Sequence, residues 1–141
     1  MTIDSIKNGI VLDHIRAGQS MELYRILGLS ELDCSVAIIK NVQSGKMGRK
    51  DIIKIDAQID LDLDVLGYVD PGITVNIIRD GKRIEKRHVE LPRLVRGVIR
   101  CKNPRCITST EQDIEHVFRL TDRDRRVYRC VYCESKAKPQ I

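Results

Sequence analysis

Four of the five cysteines lie in two close pairs, CKNPRC at 101–106 and CVYC at 130–133, with 23 residues between the pairs. Thiolate is a soft ligand, and a structural zinc takes four ligands in a tetrahedron, readily supplied when tight loops bring cysteines in by twos. Cys101, Cys106, Cys130 and Cys133 are therefore the candidate metal ligands. The second pair has the two-residue spacing of a zinc knuckle. The first is widened to four intervening residues, and Asn103-Pro104 within it favours a turn. Four sulfurs leave no coordination position for a catalytic water, so the expected ion is one structural Zn2+ per chain, with an iron centre ranked below it. Cys34 stands apart and reads as a small buried hydrophobe rather than a nucleophile.

Catalytic groups are not arranged for work. His14, His88 and His116 are scattered, no serine sits in a nucleophile elbow, and SGKMGRK (44–50) lacks the order and spacing of a GxxxxGK[ST] phosphate loop. An enzyme is not expected. The polar residues that stand out are those inside apolar strand-like runs: Asp13, His14, Lys54, Asn76 and Lys86. Taken alone, period-two alternation would put them on the solvent side of an amphipathic sheet.

The elements that must carry these groups follow from periodicity. Residues 10–15, 36–42, 51–56, 73–79 and 83–89 are rich in β-branched side chains and bounded by turn formers, which predicts five strands. SMELYRILG (20–28) predicts a helix with Ser20 as N-cap, Met21, Tyr24 and Leu27 on one face and Gly28 as the stop. DLDLDVLGY (60–68) predicts a second, with Leu63 and Leu66 behind an acidic first turn. The order β-α-β-β-α-β, extended by a hairpin at Asp80-Gly81, implies an α+β fold: a ferredoxin-like antiparallel sheet with both helices on one face and the other face open.

Pro92 breaks the pattern, and residues 91–97 read as a linker or packed junction between domains at 1–92 and 93–141. Beyond it VIRC, EHVFRL and RVYRCVYC predict short strands of a small all-β domain. Some 47 residues from 95 onward are too few for a self-sufficient core, and the metal would supply what packing does not.

Composition sets the outer bounds. The 141 residues are 42% hydrophobic and 32% charged, the balance of a globular protein, and one Phe with four Tyr and no Trp leaves Ile, Val and Leu to build the core. No apolar run approaches the roughly 20 residues of a membrane span, and MTIDSIKNGI lacks a signal-peptide layout. A cytoplasmic location without membrane contact is the expectation, and that reducing setting favours metal over disulfides. Lys and Arg number 14 against 14 Asp and Glu in residues 1–94, and 11 against 6 in residues 95–141. A thiolate-bound zinc carries −2, which reduces the C-terminal surplus to about +3. The rival reading is a zinc-ribbon nucleic-acid binder, with the Arg-rich TDRDRR turn on phosphates and Phe118, Tyr128 or Tyr132 stacking on bases.

The segments VLDHI (11–15), SGKMGRKDIIKI (44–55), TVN (74–76), LPRLVRGVIRCKNPRCI (91–107) and CVYC (130–133), in that order and across nearly the whole chain, resemble the regulatory chain of aspartate carbamoyltransferase. That resemblance implies a non-catalytic subunit with an N-terminal nucleotide-effector domain and a C-terminal zinc domain that contacts the catalytic chain. It also implies regulatory homodimers bridging catalytic trimers, with CTP and UTP inhibiting and ATP activating an enzyme that commits carbamoyl phosphate and aspartate to pyrimidine synthesis. Carried onto this sequence, the main chain of Ile3, Asp4, Ser5 and Ile6 would read the base edge, and Asp13 and Lys54 would contact ribose and base. His14 and Lys86 would face the phosphates, with Lys82 and Arg83 close enough in sequence to compete, while Ile52, Asn76 and Ile78 would line the cavity. No nucleic-acid partner is implied.

Overall fold

The structure, a computed structural model, describes residues 6–137. The chain divides into two units, Met1–Glu90 and Leu91–Ile141. The first contains β1 (Gly9–Arg16), α1 (Ser20–Ile26), a 3-10 turn (Leu29–Glu31), β2 (Val36–Ser44), β3 (Gly48–Ile55), α2 (Leu63–Val69), β4 (Thr74–Arg79) and β5 (Lys82–His88). Its strands form one sheet in the order β2-β3-β1-β4-β5, antiparallel at every junction. The predicted ferredoxin-like arrangement is present, with β5 added at one edge.

Alternation along the strands sorts the side chains. Ile10 and Leu12 of β1, Ile53 and Ile55 of β3 and Val75 of β4 are buried, and they share one core cluster with Leu23 of α1 and Leu66 of α2. Both helices therefore cover the same face. The alternation breaks once in β1. Leu12 pairs with Ile53 but Ile15 with Asp51, so Asp13 and His14 together oppose Ile52, and His14 adopts a left-handed φ of 60°. This bulge switches parity, which is why Ile15 rather than a residue of even number returns to the core.

Helix α1 differs from its sequence prediction. Its N-cap is Gln19 and no side chain caps it locally; Ser20 is the first helical residue and is buried. The exposed donors are instead met from a distance: the fully buried carboxylate of Asp51 accepts from the backbone N–H of Gly18 at 3.1 Å and of Ser20 at 3.3 Å, and also from Asn41 at 2.8 Å. Leu23 is the fully buried apolar residue, Tyr24 and Leu27 of the predicted face pack half-buried against the core, and Met21 departs from it at 51% exposed. In α2, Asp62 caps the helix by accepting from Asp64 and Val65, and Leu66 points into the core. Gly67 sits where a Cβ would lie 1.8 Å from the carbonyl oxygen of Glu90, so close packing rather than flexibility explains a glycine inside a helix.

The second unit holds β6 (Leu94–Arg96), a single turn α3 (Ile107–Thr110), β7 (Val117–Asp122) and β8 (Val127–Cys130), with the sheet order β6-β7-β8. The sequence placed a strand at VIRC and a linker at 91–97; the strand is instead Leu94–Arg96, and residues 98–101 lie outside regular structure. Leu91, Val95, Ile99, Val117, Phe118 and Tyr128 are buried, and the Tyr128 hydroxyl donates to the carbonyl of Pro92 at 2.7 Å.

Gly67→Ala should lower stability by roughly 2 kcal/mol, although alanine raises intrinsic helix propensity, because the added methyl meets backbone; urea unfolding measures this. For Asp51, burial alone would raise the pKa above 3.8, yet hydrogen bonds from Ser20, Asn41 and Gly18 hold it below that value. Its contribution to stability is thus full above the unfolded-state value and is lost as pH falls through the lower folded one. Asp51→Asn should flatten the acid limb of stability against pH.

Candidate functional site

The four predicted metal ligands converge. The sulfurs of Cys101, Cys106, Cys130 and Cys133 all lie within 4.8 Å of one another. Cys101 Sγ is 3.5 Å from Cys133 Sγ, and Cys106 Sγ is 3.7 Å from Cys130 Sγ. A tetrahedron with Zn–S bonds of about 2.3 Å has edges of about 3.8 Å, so these spacings suit one structural zinc ion. Each pair is shaped by a loop. In the first, the Asn103 carbonyl accepts from Cys106 N–H at 3.1 Å and from the Ser109 hydroxyl at 2.7 Å, closing the turn predicted at Asn103-Pro104. Cys106 then leads directly into α3. In the second, Cys130 ends β8, and its N–H and C=O bond Ser135 and Glu134, folding the chain back around Cys133.

The thiols titrate unequally. Burial pushes Cys101 up to about 12, against one backbone hydrogen bond from Asn103. Burial likewise raises Cys130, partly offset by backbone donors at Cys133 and Tyr132. Hydrogen bonds with the Ser135 hydroxyl and the Ser135 backbone, and with the Asn103 and Cys101 side chains, outweigh burial and draw Cys133 down to about 6. Four crowded sulfurs do not all ionise unaided; a divalent cation makes four thiolates compatible, and metal uptake releases protons. Cys34, the fifth cysteine, is half-buried and packs against the core of the first unit.

The polar strand residues come together on the face opposite the helices. The register aligns Ala37, Lys54, Val11, Asn76 and Lys86 in one row across all five strands. A parallel row runs Asp13, Thr74, His88, and a third Gly9, Ile78, Arg83. Ile52 lies two residues from Lys54 on β3 and opposes the β1 bulge. The face thus carries Asp13, His14, Ile52, Lys54, Asn76, Ile78 and Lys86. Ile6 is half-buried and precedes β1; Ile3, Asp4 and Ser5 lie outside the described residues.

Two partners on this face escaped the sequence reading. Lys50 pairs with Asp13 at 2.8 Å, both side chains largely shielded, and Thr74 Oγ1 lies 3.0 Å from His14 Nδ1. Burial, joined by the charges of Lys50, Lys46 and Lys86, holds His14 below its usual pKa against the pull of Asp13. Asp13 is kept below the usual carboxylate range: burial opposes this, but bonds from Lys50 and the His14 N–H prevail. The missed signal was parity, since Lys50 and Thr74 stand an even number of residues from Lys54 and Asn76 on their strands. Asn76 donates to the Val11 carbonyl at 3.2 Å, while its buried Oδ1 has no partner among the described residues.

Phe118 and Tyr128, candidates for base stacking, are 1% and 2% exposed and belong to the core of the second unit. Only Tyr132, at 51%, keeps an available ring among the three. No helix among the described residues is long and apolar enough to cross a membrane.

The sulfur cage and the two-unit fold define a two-domain metal-binding protein whose metal site is structural. Residues 1–90 match the allosteric domain of the aspartate carbamoyltransferase regulatory chain, and residues 93–141 match the metal binding domain of that regulatory chain. Relatives bearing the name aspartate carbamoyltransferase regulatory chain include one from Clostridium tetani, 54% identical over 95% of this chain and 94% of its own length. Another from Clostridium botulinum is 50% identical over 95% and 92%, and one from Bifidobacterium longum 44% identical over 98% and 99%. This chain belongs to the aspartate carbamoyltransferase regulatory chain family, and is a regulatory rather than a catalytic chain.

Cys130→Ser should leave less than one zinc per chain by elemental analysis. It should also unfold the C-terminal unit while the five-stranded sheet persists in circular dichroism, since metal binding in small zinc modules supplies on the order of 10–16 kcal/mol of folding energy.

Proposed function

We propose that this chain binds nucleoside triphosphate effectors on the open face of its five-stranded sheet and passes the signal to a catalytic chain held by the zinc unit. The observation that carries the reading is the row Lys54, Val11, Asn76, Lys86 with Asp13 and His14 beside it, in a chain of this family. The chemistry of the groups supports it. A carboxylate at Asp13 can accept both ribose hydroxyls, and ammonium groups at Lys54 and Lys86 are strong donors to anionic oxygens. The unpartnered Asn76 Oδ1 offers a buried acceptor for a ligand N–H or O–H. Lys50 and Lys46 add positive charge at the His14 end, where phosphates belong.

In this reading CTP and UTP inhibit and ATP activates, through a change in quaternary arrangement that tunes the entry of carbamoyl phosphate and aspartate into pyrimidine synthesis in the cytoplasm. Each effector shifts that arrangement only by its differential affinity for the two states. Ile3, Asp4, Ser5 and Ile6 complete the pocket at the base edge, and Ile52 and Ile78 form its apolar wall. The basic surplus of the zinc unit complements an acidic surface on the catalytic chain. Homodimer formation has support in β2, a sheet-edge strand whose Val36, Ala37, Ile38 and Ile39 are only half-buried in the single chain.

Lys54→Ala should weaken CTP binding by about tenfold or more, the loss of one charge-assisted hydrogen bond, with zinc content and assembly unchanged. Isothermal calorimetry giving the same affinity as the parent chain would remove this pocket from the reading.

A further inference from the structure

Strand β3 is flanked by two irregular strands, and the two irregularities oppose adjacent residues of β3. Asp13 and His14 of β1 oppose the single residue Ile52, while Lys40 and Asn41 of β2 oppose the single residue Asp51. Each bulge contains a non-glycine residue in the left-handed region, His14 at φ 60° and Asn41 at φ 61°. Such conformations persist only where the surroundings over-determine them. A continuous set of contacts does so here. Thr74 Oγ1 meets His14 Nδ1 at 3.0 Å, His14 N–H donates to Asp13, and Asp13 pairs with Lys50 at 2.8 Å. The next residue, Asp51, turns to the other face, where one oxygen takes the N–H of Asn41 and the other takes those of Gly18 and Ser20.

The chain of contacts therefore runs from β4 through the bulge of β1 and across β3 to the outermost strand β2. Its two ends lie on opposite faces of β3, joined through consecutive residues, Lys50 and Asp51. We infer that Asp51 is a positioning residue that ties the shape of the effector pocket to the backbone of β2, so that occupancy of the pocket is read at the sheet edge. This rests on the proposal that a nucleoside triphosphate occupies the face bearing Asp13 and His14. A ligand that engages Asp13 and the neighbouring ammonium groups competes with the Asp13–Lys50 pair. The resulting movement of Lys50 carries Asp51, and with it the left-handed bulge at Asn41 whose N–H the Asp51 carboxylate holds.

The test is amide hydrogen exchange of the full-length chain with and without CTP. In the parent chain, CTP should change the exchange of amides 39–42 by on the order of fivefold or more, the usual scale of coupling between sites. Asp51→Asn keeps the side-chain volume but has one acceptor oxygen in place of two; it should bind CTP within about threefold of the parent and lose the CTP-dependent change at 39–42. Because that variant loses stability, Asp51→Asn combined with Asn41→Gly provides a second one, in which glycine relieves the left-handed strain while the carboxylate link stays broken. Coupling should be absent there too, and Asn41→Gly alone should retain it. Persistence of the CTP effect at 39–42 in the Asp51→Asn variants overturns the inference and leaves the pocket intact. Loss of CTP binding in both Asp51→Asn variants also overturns it, by making Asp51 part of the pocket. Failure of the parent chain to bind CTP sinks the pocket reading, and this inference with it.

Discussion

A pleated strand gives alternate side chains to opposite faces, and the N-terminal unit depends on that constraint and on its local failure. One set of positions, Ile10, Leu12, Ile53, Ile55 and Val75, meets both helices and forms the core. The other set carries the polar groups in rows across the sheet. A bulge is the one device that can place two consecutive polar residues, Asp13 and His14, at such a face and still return Ile15 to the core. The local irregularity and the candidate site are thus the same structural event. Polar groups gathered there are held by one another, which is why the titration of Asp13 and of His14 is governed by burial and by shared neighbours.

The C-terminal unit solves a different problem. Its core holds the only Phe of the chain and one Tyr, with a few aliphatic residues around them, which is little to hold three short strands. Four sulfurs at tetrahedral spacing supply the cross-link between the loop at 101–106 and the end of β8, two segments far apart in sequence. Spending Phe118 and Tyr128 on packing also removes two of the three rings that a nucleic-acid reading offered, leaving Tyr132. The sequence of this unit carries the basic surplus of the chain, 11 Lys and Arg against 6 Asp and Glu in residues 95–141.

The sequence by itself determined the five strands of the first unit and their order, the four metal ligands and the family, because alternation, turn residues and paired cysteines are local signals. Gly28 at φ 65° and the Asn103-Pro104 turn were legible for the same reason. Tertiary structure alone decided the rest. The start of α1 is satisfied by Asp51, 31 residues beyond Ser20, so no nearby cap could reveal it. The strand at Leu94–Arg96 exists because β7 offers it a partner, and its three residues carry no pattern long enough to read. The pairing of Lys50 with Asp13 depends on strand register, which bulges shift by one and which only the folded sheet sets.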